Sequence, residues 1–317
     1  MRPLLLQRGL AMAEVIVSMG IGMLVLLAAS ALLVAASSNY RNNTESMRLH
    51  DGGRYALEVV AQAVRQASYV NWDEEQAPAG LAADAEASVA GLDARSLSRG
   101  SDGITAPLSG AVNGSDVLAL RFSGSGAGGN GDGSVINCGG FAVPGQQSAA
   151  ARGWSIFYVA EDAGGEAELR CKYRGANGWG ADAVVRGVDS FQVLYGLDTD
   201  TPPDGTPNTY INASGVDALD QAMLLAGTAP AQRARELRRL SHWKRVCSVK
   251  LALLLHGETG SRAESAPMRF DLFGRAYAGL AGADTGAQIE EQKLPEVLRM
   301  RARRIFSTTI FLRNRSA

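Results

Sequence analysis

Residues 15–36 read VIVSMGIGMLVLLAASALLVAA, and this stretch decides the fold. It holds no charged residue, and its only hydroxyl side chains are Ser18 and Ser30. As a helix rising about 1.5 Å per residue it is roughly 33 Å long, enough to cross the apolar core of a bilayer. Arg2 and Arg8 precede it, and no acidic residue stands before Glu14. Two basic residues ahead of the span favour a cytoplasmic N-terminus, although Arg41, Arg48 and Arg54 after it weaken that bias.

Three readings of the segment compete. A cleaved secretory signal has an apolar part of only about 7–15 residues, although Ala29-Ser30-Ala31 offers small residues for a cut. A plain membrane anchor fits the length. The third reading, a retained assembly helix, also accounts for Glu14 at the head of the apolar run. A carboxylate in hydrocarbon costs about 2.5–3.5 kcal/mol on insertion scales, so such a group usually has a partner.

Outside this segment the composition is that of an ordinary folded chain. The 317 residues are 46% hydrophobic, enough for a core, and 31 basic against 32 acidic residues leave a net charge of −1. No basic stripe marks a nucleic-acid surface. Three cysteines, none in a CxxC, exclude a zinc ribbon or a thioredoxin-type motif.

No proline occurs between Pro3 and Pro78, so one helix is free to continue past the span. Ala56, Val60, Ala63 and Ala67 share one face of it, and Arg54, Glu58, Gln62 and Arg65 share the other. Gly52-Gly53 predicts a kink. The expected layout is a long helix over 10–70, an irregular connection over 71–115 and a β-rich head over 116–317. Strand-like runs stand at Val117–Phe122, Trp154–Val159, Leu169–Arg174, Ala183–Arg186, Phe191–Tyr195, Val246–Leu255 and Ile305–Leu312. Residues 216–240 read as helical. Short strands without βαβ alternation predict an α+β fold, with the long helix laid on an antiparallel sheet.

Candidate chemical motifs are few. Gly124–Gly129 fits GxGxxG after a strand, but GNGDGS follows and no helix opens there to receive a phosphate. Asp198, Asp200 and Asp204 are spaced somewhat like a calcium loop, but Pro202-Pro203 stand where a third ligand belongs, so a polar turn is the expectation. His50, His242 and His256 are scattered, and neither GxSxG nor HExxH occurs. The reading is of a non-enzyme, with no cofactor and no metal.

The N-terminal residues QRG-LAMAE, residues 7–14, resemble the prepilin-type leader, a short basic peptide ending in glycine with an acid five residues beyond. This chain has Leu10 where that family usually has Phe, and Ala11-Met12-Ala13 where it has Thr-Leu-Ile or Ser-Leu-Ile. Further segments match in order. HDGGRYALEVVAQAVRQASY (50–69) is similar to NGRFALE…LARDIRMAGY, VVRGVDSFQVLYGLDTD (184–200) to VEGV…MQVQYGVDTD, and RRIFSTTIFLRNR (303–315) to VFTTTVALRNR. The ordered set resembles the PilW-type minor pilins of type IV pili; the pseudopilins of type II secretion share only the N-terminal part.

The resemblance implies a leader, residues 1–9, cut between Gly9 and Leu10 by the prepilin peptidase, which also N-methylates Leu10. Glu14 would then face the new amino group of Leu10 on a neighbouring subunit. It further implies single-pass residence in the inner membrane with a periplasmic head, followed by passage into the pilus. Its partners would be other minor and major pilins and the inner-membrane assembly platform, in a complex that primes the pilus and sits at its tip. With the head outside the cytoplasm, Cys138 and Cys171 are expected to form a disulfide and Cys247 a buried thiol; two unpaired core cysteines are the alternative. A type II secretion pseudopilin, and an anchored periplasmic enzyme or calcium-dependent adhesin, are the competing functions.

Overall fold

The computed structural model describes residues 12–69, 82–126, 131–145, 152–262, 266–280 and 284–313. Gly9 and Leu10 lie outside them. The chain divides into two units, Met1–Met47 and Arg48–Ala317. Helix α1 (Met12–Gln66) begins in the first and ends in the second, with Glu14 in its first turn and Arg65 in its last. Both charges complement the helix dipole.

In the second unit, α1 supplies Gly53, Ala56, Val60, Ala61, Ala63 and Val64 to the core. Alanine and glycine at these positions bring the helix backbone close to what it packs on. The outer face carries an ion pair from Arg65 to Glu58 at 2.9 Å. The helix runs through Gly52-Gly53 unbroken, so this pair does not end it. Its role is close approach: a β-carbon on Gly52 would lie 3.2 Å from Val185, and Gly53 faces the ring of Phe306.

Residues 82–115, expected to be irregular, hold three short strands: β1 (Val89–Leu92), β2 (Ser96–Leu97) and β3 (Pro107–Leu108). After them come β4 (Val117–Phe122), β5 (Gly153–Glu161), β6 (Ala167–Gly175) and β7 (Gly178–Arg186). The first main sheet is antiparallel in the order β1-β4-β5-β6-β7, so part of the presumed connection is a sheet strand. VAGL gives little strand signal because it contains Gly91. That glycine is required, since a β-carbon there would lie 1.8 Å from the Tyr195 hydroxyl.

Gly187, with φ of +74°, is the single residue between β7 and β8 (Val188–Leu197), and there the chain leaves one sheet for the other. The second sheet adds β9 (Thr209–Ile211), β10 (Val246–His256) and, near the C-terminus, β13 (Arg303–Phe311), in the order β13-β10-β8-β9. Between β9 and β10, residues 216–240 form two helices rather than one: α2 (Ala213–Gln221), capped by Asn212, and α3 (Pro230–Leu240). Gly227 at φ +101° and Pro230 in the first turn of α3 separate them.

One apolar core joins α1 to both sheets. It includes Val60 and Val64 from the helix, Leu118, Phe157 and Leu169 from the first sheet, and Phe191, Leu251, Phe306 and Ile310 from the second. The opposite face of the first sheet is covered by residues around Leu97 and Ile104. That of the second lies under β11 (Arg269–Asp271), β12 (Gln288–Glu290) and neighbouring turns, with α4 (Arg275–Leu280) between the two strands.

Candidate functional site

In the first unit the described residues of α1 are solvent-exposed almost throughout, including Ile16, Leu24, Leu27 and Leu33 at 64–73%. Within the helix, the most apolar 18-residue window has a mean hydropathy of 2.4 and no buried residue. A helix apolar on every side is stable in lipid or among like helices, not in water. Its hydroxyls are accommodated within the backbone: Ser18 donates to the Val15 carbonyl at 2.9 Å and Ser30 to the Leu26 carbonyl at 2.8 Å. Glu14 is therefore the one carboxylate in this described stretch up to Tyr40.

In the second unit, Cys138 and Cys171 are disulfide-bonded, with α-carbons 6.0 Å apart, and Cys247 is a buried thiol whose Sγ lies 3.5 Å from the Gly196 carbonyl oxygen. The bridge ties the loop after β4 to β6, and the Cys138 amide donates to the Ser155 hydroxyl at 3.0 Å. Between this loop and α1 lies a cleft of about 370 Å³, lined by Tyr55, Val59, Gln62, Gln66 and the two cysteines. A second cleft, of about 610 Å³, is lined by Trp154, Trp243, Ile104, Arg121 and Arg238. There the Arg121 guanidinium lies 4.3 Å from the centre of the Trp154 ring and pairs with Glu86.

Asp198, Asp200 and Asp204 do come together, with ligand oxygens within 4.8 Å of one another. Those oxygens already serve the turn. Asp198 accepts from the amides of Asp200 (3.2 Å) and Gly205, Asp204 accepts from Thr206 (2.7 Å), and Asp200 accepts from Asn208 (3.1 Å). The geometry is that of a side-chain-stapled turn. At the GxGxxG stretch, Gly124 packs against the backbone of Val143, while residues 127–130 lie outside the described chain.

The histidines hold a feature that spacing concealed. His256, 2% exposed, sits between Asp189 (Nδ1 to Oδ1, 3.0 Å) and Glu166 (Nε2 to Oε1, 2.7 Å). Arg303, wholly buried, bonds Asp189 at 2.7 Å and Glu291 at 3.0 Å, and Arg262 reaches Glu291 at 2.7 Å. The partners are up to 114 residues apart in sequence, so no local pattern reveals them. Buried charges need partners, and here each has two or more, which fixes β8, β10 and β13 to one another. Closed to solvent, His256 has no route to a substrate. At His242, Nδ1 contacts the Asp220 carboxylate at 2.8 Å, and the Ser241 hydroxyl donates to the same carboxylate at 2.5 Å.

A second polar cluster surrounds the start of α2. Asp93 accepts from the amides of Ala213 (2.9 Å) and Ser214 (2.7 Å), and Asp284 contacts Asn212 (3.2 Å) and the Tyr277 hydroxyl (2.5 Å). Asp116, buried nearby, accepts from the amides of Ala94 and Val193 at 3.0 and 2.9 Å. Burial, with the charge of Asp93 adding to it, holds the Asp116 carboxyl well above the usual carboxylate range. Burial raises Asp284 as well. Lys172 is buried under residues 98–103, donating to the carbonyls of Ser98 and Gly103 and to the Ser101 hydroxyl at 2.8–3.0 Å; burial brings its ammonium down to about 8.

Against known proteins, the family model for type IV pilus-assembly protein W matches residues 156–314. No curated protein matches the chain. Among solved structures, a type IV-like pilin from Thermus thermophilus superposes with a TM-score of 0.41 and 14% identity, covering 85% of this chain and 100% of that one.

Proposed function

Since the chain belongs to the type IV pilus-assembly protein W family, we propose that it is a minor pilin that primes pilus polymerisation and sits at the tip. The observation that carries the reading is the exposed, uncharged helix over residues 15–36, headed by Glu14 and attached to a folded head that bears the family's sequence. Such a helix waits in the inner membrane and then passes into a filament core of like helices. Both surroundings bury it on all sides, so the transfer exposes no apolar surface to water.

On this reading the prepilin peptidase cuts between Gly9 and Leu10 and the new N-terminus is methylated. Glu14 then meets the amino group of Leu10 on the adjacent subunit, and the periplasmic head contacts other minor and major pilins and the assembly platform. The test is the intact mass of protein purified from the membrane. The expected chain starts at an N-methylated Leu10; a chain retaining Met1–Gly9, or one beginning near Ser30–Ser37, overturns the proposal.

A further inference from the structure

Strands at sheet edges expose unpaired N–H and C=O groups, and natural proteins protect them by shortness, charge, proline, bulges or cover. The two main sheets have four edges, β1, β7, β9 and β13. Strand β9 has three residues and β1 has four, with α2 packed against β1. In β7, two glycines, the exposed Asp182 and a shifted register opposite Leu169 and Arg170 interrupt the edge.

Strand β13 has only charge among these, and only at its start, in Arg303 and Arg304. Its nine residues pair with β10 in one unbroken register, from Arg303 opposite His256 to Phe311 opposite Ser248. It contains no proline or glycine, and Ile305–Phe311 carries no charge. The ladder's direction follows from its ends: Gly257 donates to the Ala302 carbonyl at 2.8 Å and Leu312 to the Cys247 carbonyl at 2.9 Å. Residues 304, 306, 308 and 310 therefore turn their backbone groups to β10. Ile305, Ser307, Thr309 and Phe311 turn theirs outward, and no described residue hydrogen-bonds to those groups. The side chains of Ser307, Thr309 and Phe311 are exposed, Phe311 at 55%. On the other face Phe306 and Ile310 are in the core, and at the start of the strand Arg303 is locked by Asp189 and Glu291, so the open edge is held rigid.

A row of outward N–H and C=O groups, repeating about every 6.8 Å along alternate residues, is matched by an extended peptide. A second copy is a poor occupant. Antiparallel self-pairing over Ile305–Phe311 would set Arg303 and Arg304 of each copy beside Arg313 of the other, and like charges directly opposite destabilise a ladder. We propose that the outward edge of β13 receives, as an added strand, an extended segment of a different protein, uncharged in its middle and acidic where it meets Arg304 or Arg313. The inference rests on the head alone and is independent of how Glu14 behaves.

The test uses the full chain in detergent with the synthetic peptide Glu-Val-Thr-Val-Thr-Val-Thr-Glu at millimolar concentration, reading amide hydrogen exchange along β13. The amides of Ser307, Thr309 and Phe311 are expected to slow by about tenfold or more. The same peptide N-methylated at alternate amides should leave them unchanged, and lysine in place of its terminal glutamates should weaken the effect. Thr309→Pro removes only an outward N–H, so its melting temperature should hold while the peptide effect disappears. Unchanged exchange with the unmodified peptide overturns the proposal. So does equal protection by the N-methylated peptide, or protection that rises with protein concentration when no peptide is present.

Discussion

A β-carbon built on Gly53 would stand 2.4 Å from the ring of Phe306, so helix and strand touch at a distance that only glycine allows. Phe306 is itself held edge-on by His50, with ring centres 6.1 Å apart. An alanine in a helix interior is ordinarily favoured over glycine by about 1 kcal/mol. Here the buried ring has no room to retreat, and overpacking costs typically ~1–3 kcal/mol.

Gly53→Ala should therefore lower stability by up to roughly 2 kcal/mol, the difference between those two effects. Gly52→Ala, facing only a methyl group of Val185 at 3.2 Å, should be close to neutral. Denaturant midpoints of the two variants decide it. Adding Phe306→Leu to Gly53→Ala should give a loss smaller than the sum of the singles, since the ring is what the new methyl strikes.

The helix was legible in the sequence because its signals are local: a run without charge, then alanines at helical spacing on one face. The strands of the head were legible for the same reason, through β-branched runs between glycine-rich turns. Strand β1 was hidden because Gly91 answers to Tyr195, 104 residues away, and the close approach of Gly53 to Phe306 was hidden in the same way. The buried bridge from Glu166 through His256 to Asp189 and Arg303 was invisible for the same cause. The spacing of a residue with its own neighbours does not report partners that the sheet brings together.

The acidic cluster near α2 predicts a pH dependence with a definite sign. Asp116 and Asp284 bind protons more tightly folded than unfolded, because burial raises both. The stability they contribute is fully present below the unfolded carboxylate value of about 3.9 and is lost as pH rises through their folded values. Asp284→Asn keeps a carbonyl for Asn212 and lets the Tyr277 hydroxyl accept a bond from the new amide, while removing the charge. Its melting temperature should exceed that of the parent near neutral pH and equal it near about pH 4. An equal shift at both values would mean that the carboxylate's charge plays no part.

Breaking the bridge between Cys138 and Cys171 frees a loop spanning 33 positions. On loop-closure entropy that change costs about 3–4 kcal/mol. The double Cys→Ser variant at these positions should show that loss in its denaturant midpoint. Exchange of amides in residues 131–145 should quicken more than exchange in β8 and β10, which the Asp189–Arg303 bridge holds independently. Uniform quickening across both sheets would show that the disulfide supports the whole head and not its own loop.

The proposed function depends most on Glu14. Removing its charge makes the apolar segment longer, so insertion into the membrane should improve, by up to about 2.5–3.5 kcal/mol on insertion scales. What is lost is a charge-assisted hydrogen bond to the Leu10 amino group of the next subunit. Such bonds contribute roughly 1.5–3 kcal/mol, about ten- to a hundredfold in the equilibrium for joining the filament. Glu14→Ala should accumulate in the inner membrane, cleaved after Gly9, while surface pili fall by about tenfold or more. The competing view places Glu14 among the lipid headgroups as an ordinary polar flank, and under it the variant assembles pili as well as the parent. Counting surface pili in cells whose only copy carries the substitution separates the two. Normal piliation together with normal cleavage would leave the carboxylate without the role proposed for it.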